Sequence, residues 1–265
     1  MKIFKIRCSA IGEIMTEGKD AAGLTDKQAI TLRDLMLKMV QGKITEKQTQ
    51  EMERLIEKRD KPPELSATAK THCQNWLREQ LYGRRKEISS KYCDKGNDVE
   101  DASIEFLNSI LLTDYVKNEE KEENEYMTGC CDIKSDCIRD VKNSWDCYTF
   151  PLFDHGIKTI AYKWQIQGYL ELYDKEMGHL DYLLMSAPLH IIIREAKSKA
   201  YKDGLDYDEI FPAVHKLMTY GEEIDNKLRH KSFFIERDRE EIQKVYDRVK
   251  MCRSYIAGLI IASQF

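Results

Sequence analysis

The stretch Thr128 to Trp145, TGCCDIKSDCIRDVKNSW, constrains this chain more than any other. Ser135 and Asp136 are turn formers, and the segments on either side read as extended chain. Folded as an antiparallel hairpin centred on position 136, the stretch sets Asp132 opposite Asp140, because the two numbers are symmetric about the turn. Strand alternation puts Asp140 and Lys142 on one face, two residues apart. Two carboxylates and an ammonium then converge on a patch otherwise made of Ile133, Ile138 and Val141. Carboxylates held side by side are unfavourable unless a cation neutralises them. Hard oxygen ligands on a rigid sheet suit Mg2+ or Mn2+. A lysine beside such an ion can orient an attacking water or offset charge on a pentacoordinate phosphate. An ordinary surface hairpin accounts for the same residues, so the neighbouring segments decide.

Asp26 to Met39 and Thr45 to Arg59 read as amphipathic helices, each starting near a Thr or Asp that can cap it. In the first, Leu32, Leu35, Met36 and Met39 recur at helical spacing as a core stripe. Pro62-Pro63 mark a break. Ser66 to Leu81 is helical and leads to the basic cluster Arg84-Arg85-Lys86. Gly96 to Leu111 is a further helix and carries Glu100. Asp114 to Val116 and Glu125 to Ile133 look extended, separated by the charged run Lys117 to Asn124, which reads as an exposed turn. Cys137 to Trp145 is a short strand, and Ile157 to Glu176 a long helix. Gln165 and Tyr169, four apart, share a face of it, and Gln167 lies on another side. His179 to Ser186 and Lys227 to Ile235 are strands, and Asp238 to Ile261 is a closing helix. With no internal repeat and no long linker, the expectation is one α/β domain over 1–265. A helical N-terminal region to residue 92 precedes a core from residue 93, built as a central mixed β-sheet flanked by helices.

Composition narrows the function classes. The chain has 42 Lys+Arg against 46 Asp+Glu, a net charge of −4. That balance weakens a nucleic-acid reading without removing it, since DNA responds to local field. The longest apolar stretch, Tyr255 to Ala262, is far short of the ~20 residues a membrane span requires. No basic leader precedes an apolar run, and eight cysteines are too sparse for a disulfide scaffold, so reduced thiols in a cytoplasm are expected. Cys130, Cys131, Cys137 and Cys147 cluster but lack the paired spacing of a zinc site.

The order of the segments is the specific signal. Glu100 in a helix, then Asp132, then Asp140-Val141-Lys142, then Gln165-Ile166-Gln167-Gly168-Tyr169 resembles the PD-(D/E)XK nuclease superfamily. Within it the chain looks most like the YqaJ-type phage exonucleases, the family of phage lambda exonuclease. Lys95 to Ala102 is similar to that family's Gly-x-x-x-Glu helix, Gly129 to Asp132 to its Gly-x-x-Asp strand, and Asp140 to Trp145 to its Asp/Glu-x-Lys strand. Cys131 replaces the proline often found before the first aspartate. Arg7 to Thr16 resembles the family's opening segment, where a serine and a nearby basic residue help hold the 5′-phosphate of the DNA end. Ser9 and Arg7 stand in that place, although the spacing of the basic residues departs from the family pattern.

The resemblance implies that Asp132 and Asp140 bind two Mg2+ ions, or Mn2+, with Glu100 and the Val141 carbonyl. Lys142 would position the attacking water, with Gln165 or Gln167 and Tyr169 supporting the site. The implied activity is 5′ to 3′ digestion of linear double-stranded DNA, leaving a 3′ single strand for an annealing protein. A trimeric homo-oligomer and a phage- or prophage-encoded origin in a bacterial cytoplasm are implied as well. Arg84, Arg85 and the segment Lys227 to Lys231 are candidates for DNA-backbone contact, and Trp145 for packing or DNA contact. Two other readings stay open: an endonuclease or junction-cleaving enzyme of the same superfamily, and a non-catalytic DNA-end binding module. The iron–sulfur cluster of the CRISPR-associated exonucleases in the wider superfamily needs three cysteines near the C-terminus, and here Cys252 alone lies late in the chain, so no such cluster is expected.

Overall fold

The structure, a computed structural model, describes residues 1–18, 23–86 and 90–263. In chain order the elements are β1 (Ile6–Arg7), a 3-10 turn (Cys8–Ala10), α1 (Ile11–Met15), α2 (Asp26–Val40), α3 (Glu46–Asp60), α4 (Ala67–Tyr82), α5 (Lys91–Asp98) and α6 (Glu100–Leu111). There follow β2 (Glu122–Glu123), β3 (Met127–Gly129), β4 (Ile133–Lys134), β5 (Ile138–Asn143), α7 (Ile160–Leu172) and β6 (Met177–Leu183). The chain ends with α8 (Leu189–Asp203), α9 (Tyr207–Met218), a second 3-10 turn (Asn226–Leu228), β7 (His230–Glu236) and α10 (Arg239–Ser263). Contacts divide the chain into two units, one of Met1–Phe4, Glu13–Gly83 and Asp247–Phe265, the other of Lys5–Gly12 and Arg84–Tyr246.

The first unit is helical. Thr25 and Thr45 each close a capping box, with the Gln28 and Gln48 side chains returning to the cap N–H, which satisfies two helix-start donors reciprocally. α2 buries Leu32 and Leu35 against Met52 and Leu55 of α3. The expected core stripe also held Met36 and Met39, but these are 39% and 47% exposed. The apolar arc of α2 is wider than the face that α3 covers.

The second unit carries the sheets. β1, β3 and β2 form one three-stranded sheet, and β4, β5, β6 and β7 a four-stranded one. Ile133 pairs with Arg139 and Lys134 with Ile138, so the hairpin has the register centred on position 136. β6 lies parallel to β5 and antiparallel to β7, and α7 makes the crossover between the parallel strands. The result is a mixed sheet flanked by helices.

Several expectations needed correcting. The helix over 96–111 is two helices, broken at Val99, whose φ of −108° and ψ of 6° leave the helical region. The run Lys117 to Asn124 is not all turn: Glu122 and Glu123 pair antiparallel with Gly129 and Thr128. β2 lies at the edge of its sheet, where charged side chains stay in water and discourage further pairing. Asp114 to Val116 forms no strand. α8 and α9 were not anticipated at all. They pack as a pair, burying Ile191, Ile192 and Ala196 with Ile210, Val214 and Met218. Pro212 lies inside α9 and reads in sequence as a breaker.

Candidate active site

Four consecutive residues of β5, Ile138 to Val141, are buried, so the ionisable pair among them must find partners inside the protein. Asp140 faces α7: its Oδ1 accepts from Gln165 Nε2 at 2.9 Å, and the same nitrogen donates to the Tyr169 hydroxyl at 3.0 Å. Asp140 Oδ2 lies 2.5 Å from Lys142 Nζ, an ionic contact, yet this buried oxygen accepts no well-angled hydrogen bond. On the other arm of the hairpin, Asp132 Oδ2 accepts from the Val141 N–H at 2.6 Å.

Burial, then the charge of Asp140, pushes the Asp132 carboxyl up to about 7. Burial raises Asp140 too, against the pull of Lys142. Burial alone would lower the Lys142 ammonium, but Asp140 and Asp132 hold it above its ordinary value. At neutral pH the two carboxylates therefore carry less than two full charges, with Lys142 balancing them. Burial likewise raises the Tyr169 hydroxyl, which keeps it protonated.

Asp132, Val141, Lys142, Gln165 and Glu100 all line one cavity of about 1000 Å³, and Ser9 and Trp145 line it as well. Glu100 opens α6, but its carboxylate is held by Lys117 Nζ at 2.7 Å. Among the described residues, no three His, Cys, Asp or Glu side chains gather as a metal cluster. The second glutamine is not brought to the site. Gln167 Nε2 donates to the Glu236 carbonyl at 2.6 Å and its Oε1 accepts from the Asp238 N–H at 2.8 Å. Two residues of helix turn it about 200° away from Gln165, so it fastens the end of β7 to the start of α10.

Ser9 reaches the cavity because two glycines make room for the turn that bears it. A Cβ on Gly129 or on Gly168 would each meet Cys8 Sγ at 2.8 Å, so the Cys8–Ala10 turn seats directly on β3 and α7. Arg7, Arg84 and Arg85 are exposed and lie outside the lining of the cavity. Trp145 is half-buried, edge-on to Tyr92 at 5.3 Å and beneath Lys91 Nζ at 4.6 Å. It also packs on the core between α8 and α9.

Two supports escaped the sequence reading. Lys95, fully buried, donates to the Ser144 carbonyl at 2.7 Å and the Trp145 carbonyl at 2.9 Å, pinning the chain just beyond Lys142. Burial, partly opposed by Asp146, lowers its ammonium to about 8. On β6, Asp181 Oδ2 takes Arg139 Nη1 at 2.7 Å and Oδ1 takes His230 Nε2 at 2.9 Å. Burial would raise Asp181, but His230 and Arg139 together keep it below its ordinary value. Only strand register unites these three residues, and a lone sequence does not display the parallel pairing of β5 with β6.

The donor set fits a hard divalent cation. Asp140 Oδ2 is a buried carboxylate oxygen that meets the Lys142 ammonium but accepts no well-angled hydrogen bond, and burial beside Asp140 raises the Asp132 carboxyl, a cost that a bound cation relieves. Both are anionic oxygen donors of the kind that Mg2+ and Mn2+ prefer.

No protein-family model and no curated protein matches the sequence. Solved structures do. A phage-related exonuclease from Haemophilus somnus 129PT is 25% identical, with a TM-score of 0.66 over 99% of this chain and 97% of that one. An alkaline exonuclease from Laribacter hongkongensis, LHK-Exo, has a TM-score of 0.55 at 11% identity, covering 98% of this chain and 91% of its own. Its complex with dAMP gives 0.56 at 11%, over 99% and 94%. The second protein shares the fold, while the first shares sequence as well. By fold, and in the first case by sequence too, the chain is similar to phage-related and alkaline exonucleases, a likeness that supports a nuclease and agrees with the resemblance of its motif order to the YqaJ-type, PD-(D/E)XK pattern.

Proposed function

We propose that this nuclease is a Mg2+-dependent exonuclease that digests linear double-stranded DNA from 5′ to 3′ and leaves 3′ single strands. The observation that carries the reading is the convergence of Asp132, Asp140 and Lys142 from the two arms of one hairpin, braced by Gln165. Asp132, Asp140 and the Val141 carbonyl would hold the metal, with Glu100 joining by exchanging Lys117 for the ion. Two Mg2+ ions, or Mn2+, suit phosphodiester hydrolysis, where such ions acidify water and stabilise charge on the phosphate oxygens.

The chain's own residues supply orientation. Gln165 fixes the Asp140 carboxylate through Oδ1, and Tyr169 fixes Gln165. The Val141 N–H fixes Asp132. Lys142, charged beside Asp140, can orient an attacking water and stabilise developing negative charge. Ser9 on the cavity wall suits the 5′-phosphate. Exposed Arg7, Arg84 and Arg85 suit the DNA backbone outside the cavity, and Trp145 suits a base at its wall. The 5′ to 3′ direction, a trimer, an annealing partner and a phage-encoded role in a bacterial cytoplasm are carried over from the family resemblance. No helix among the described residues is long and apolar enough to cross a membrane.

The test is digestion of linear duplex labelled separately at its 5′ and 3′ ends, beside a closed circle, with Mg2+ and with EDTA. Early release of the 5′ label as mononucleotide, with the circle intact, is the expected result. Cleavage of the circle, or early loss of the 3′ label, overturns the exonuclease direction. No Mg2+- or Mn2+-dependent release from either substrate overturns the enzyme.

A further inference from the structure

The Lys142 ammonium meets the Asp140 carboxylate at 2.5 Å and also the face of an aromatic ring. The centroid of Tyr162 lies 5.2 Å from Nζ, within the ~6 Å over which a cation is drawn to the negative face of an aromatic system. Tyr162 lines the cavity together with Lys142 and Gln165. It stands in the first turn of α7, three residues before Gln165 and seven before Tyr169, and spacings of three and seven lay all three side chains along one helix face. That single face of α7 therefore touches both halves of the ion pair: Gln165 holds the carboxylate and Tyr162 the ammonium.

The ring is fixed from behind. Tyr162 sits edge-on to Tyr182, with centroids 6.3 Å apart, and Tyr182 sits edge-on to Phe233 at 5.9 Å, both within the ~4.5–7 Å of favourable edge-to-face pairs. Tyr182 is the β6 residue paired with Lys142 across the parallel ladder, and it also packs on the buried cluster of Phe150, Leu184 and Tyr220. The three rings form a row that runs from β7 across β6 to α7 and ends on the Lys142 ammonium. The Lys142 side chain is 23% exposed, so little water screens the contact.

The carboxylate and the ring respond differently to a bound cation. With a divalent ion between Asp132 and Asp140, Oδ2 gives its charge to that ion, and Lys142 faces repulsion where it had an anion. The quadrupole of a fixed ring keeps its attraction. We infer that Tyr162 is a positioning residue, whose ring face holds Lys142 at the cavity once Asp140 has turned its charge to the metal. The ammonium then stays aimed at the attacking water and the phosphate. The inference rests on the nuclease reading and adds to it the group that keeps Lys142 in place. Tyr162 acts through Lys142, so the property that matters is its electron-rich face, and its hydroxyl is dispensable.

The test separates ring face from ring shape. In the full-length protein Tyr162 is replaced by Phe, by mono-, di- and trifluorinated phenylalanine, and by Leu; each fluorine drains the negative face with little change of volume. On linear duplex with Mg2+, Tyr162→Phe should stay near wild type and kcat should fall stepwise with fluorine content. Tyr162→Leu should lose about 5- to 30-fold in kcat, the worth of a cation–π contact withdrawn from water, with KM little changed. A flat fluorine series in variants that melt with wild type overturns the inference, as does a loss confined to KM. A second readout needs no turnover. In protein labelled with carbon-13 at lysine Cε, the Lys142 resonance is assigned by its absence in Lys142→Arg. It should be displaced upfield by the ring in EDTA, keep that displacement in Ca2+, and lose it in Tyr162→Leu. An undisplaced resonance, or a displacement that vanishes in Ca2+, overturns the inference whatever happens to DNA. A displacement kept in Ca2+, with wild type digesting no DNA, keeps the ring contact and overturns the nuclease reading.

Discussion

Replacing Asp132 with Asn should make the metal-free protein more stable at pH 8 and deaf to divalent metal. Burial and the neighbouring Asp140 charge push the Asp132 carboxyl from 3.8 to about 7 in the folded chain. Between those values the folded chain binds more protons than the unfolded one, so this group's contribution to stability falls as pH rises through the window and stays low above it. The full shift corresponds to about 4 kcal/mol. Asp132 is only half-buried and shares its charge with Asp140, so screening reduces the expected cost to about 2 kcal/mol. Asn removes the charge and keeps an oxygen for the Val141 N–H. Thermal unfolding in EDTA should show the variant melting about 4–8 °C above wild type at pH 8, with a small difference at pH 4.5. Mn2+ near a hundred times its dissociation constant should stabilise wild type by about 2.7 kcal/mol and the variant far less. A variant no more stable than wild type at pH 8, or one stabilised equally by Mn2+, would refute the view of Asp132 as a strained, metal-ready carboxylate.

Lys142→Ala should reduce hydrolysis of linear duplex by at least about 10²-fold, the scale of losing one charge-stabilising donor, while largely sparing DNA binding in Ca2+; near-normal turnover would mean the site is misassigned. The two glutamines should separate cleanly. Gln165→Leu should lower kcat about 10- to 100-fold, as for removal of a residue that orients a ligand. Gln167→Leu should cost about 1–3 kcal/mol of stability from two lost backbone contacts with kcat nearly unchanged, and equal kcat losses would contradict the geometry. Gly168→Ala would put a Cβ 2.8 Å from Cys8 Sγ and 2.7 Å from Ile11 Cδ1, an overpacking that costs about 1–3 kcal/mol. In a Cys8→Ala background the part of that cost due to Sγ should vanish while the Ile11 contact remains, and additive melting temperatures across the four proteins would show that Cys8 and residue 168 do not couple.

The hairpin was legible because its information is local. Asp132 and Asp140 are symmetric about one turn, so spacing alone gave the register that Ile133 and Arg139 display. Glu100 is different: spacing puts it at the start of a helix but does not disclose Lys117, which takes its carboxylate. Gln165 and Gln167 could be told apart only by helix rotation, and the partner of Gln167 lies at the distant Glu236–Asp238 corner. Lys95 reads as one more charged residue in DKGNDVED, yet the fold buries it completely. Met36 and Met39 failed in the opposite sense, since periodicity shows which residues can be covered and not how far the covering helix extends. α9 was masked by Pro212, whose residence in a helix depends on tertiary packing against α8 that no local pattern contains.

The pairing of β1 with β3, Ile6 against Met127, joins the beginning of the chain to its middle. Contacts so far apart in sequence form slowly, because a long loop must close before they reward the closure. A growing chain can fold the Asp132–Asp140 hairpin while its opening segment still hangs loose, without Cys8 in its slot or Ser9 at the cavity. Ser9 therefore reaches the cavity wall only once this distant pairing has formed, later than the local hairpin that carries Asp132 and Asp140.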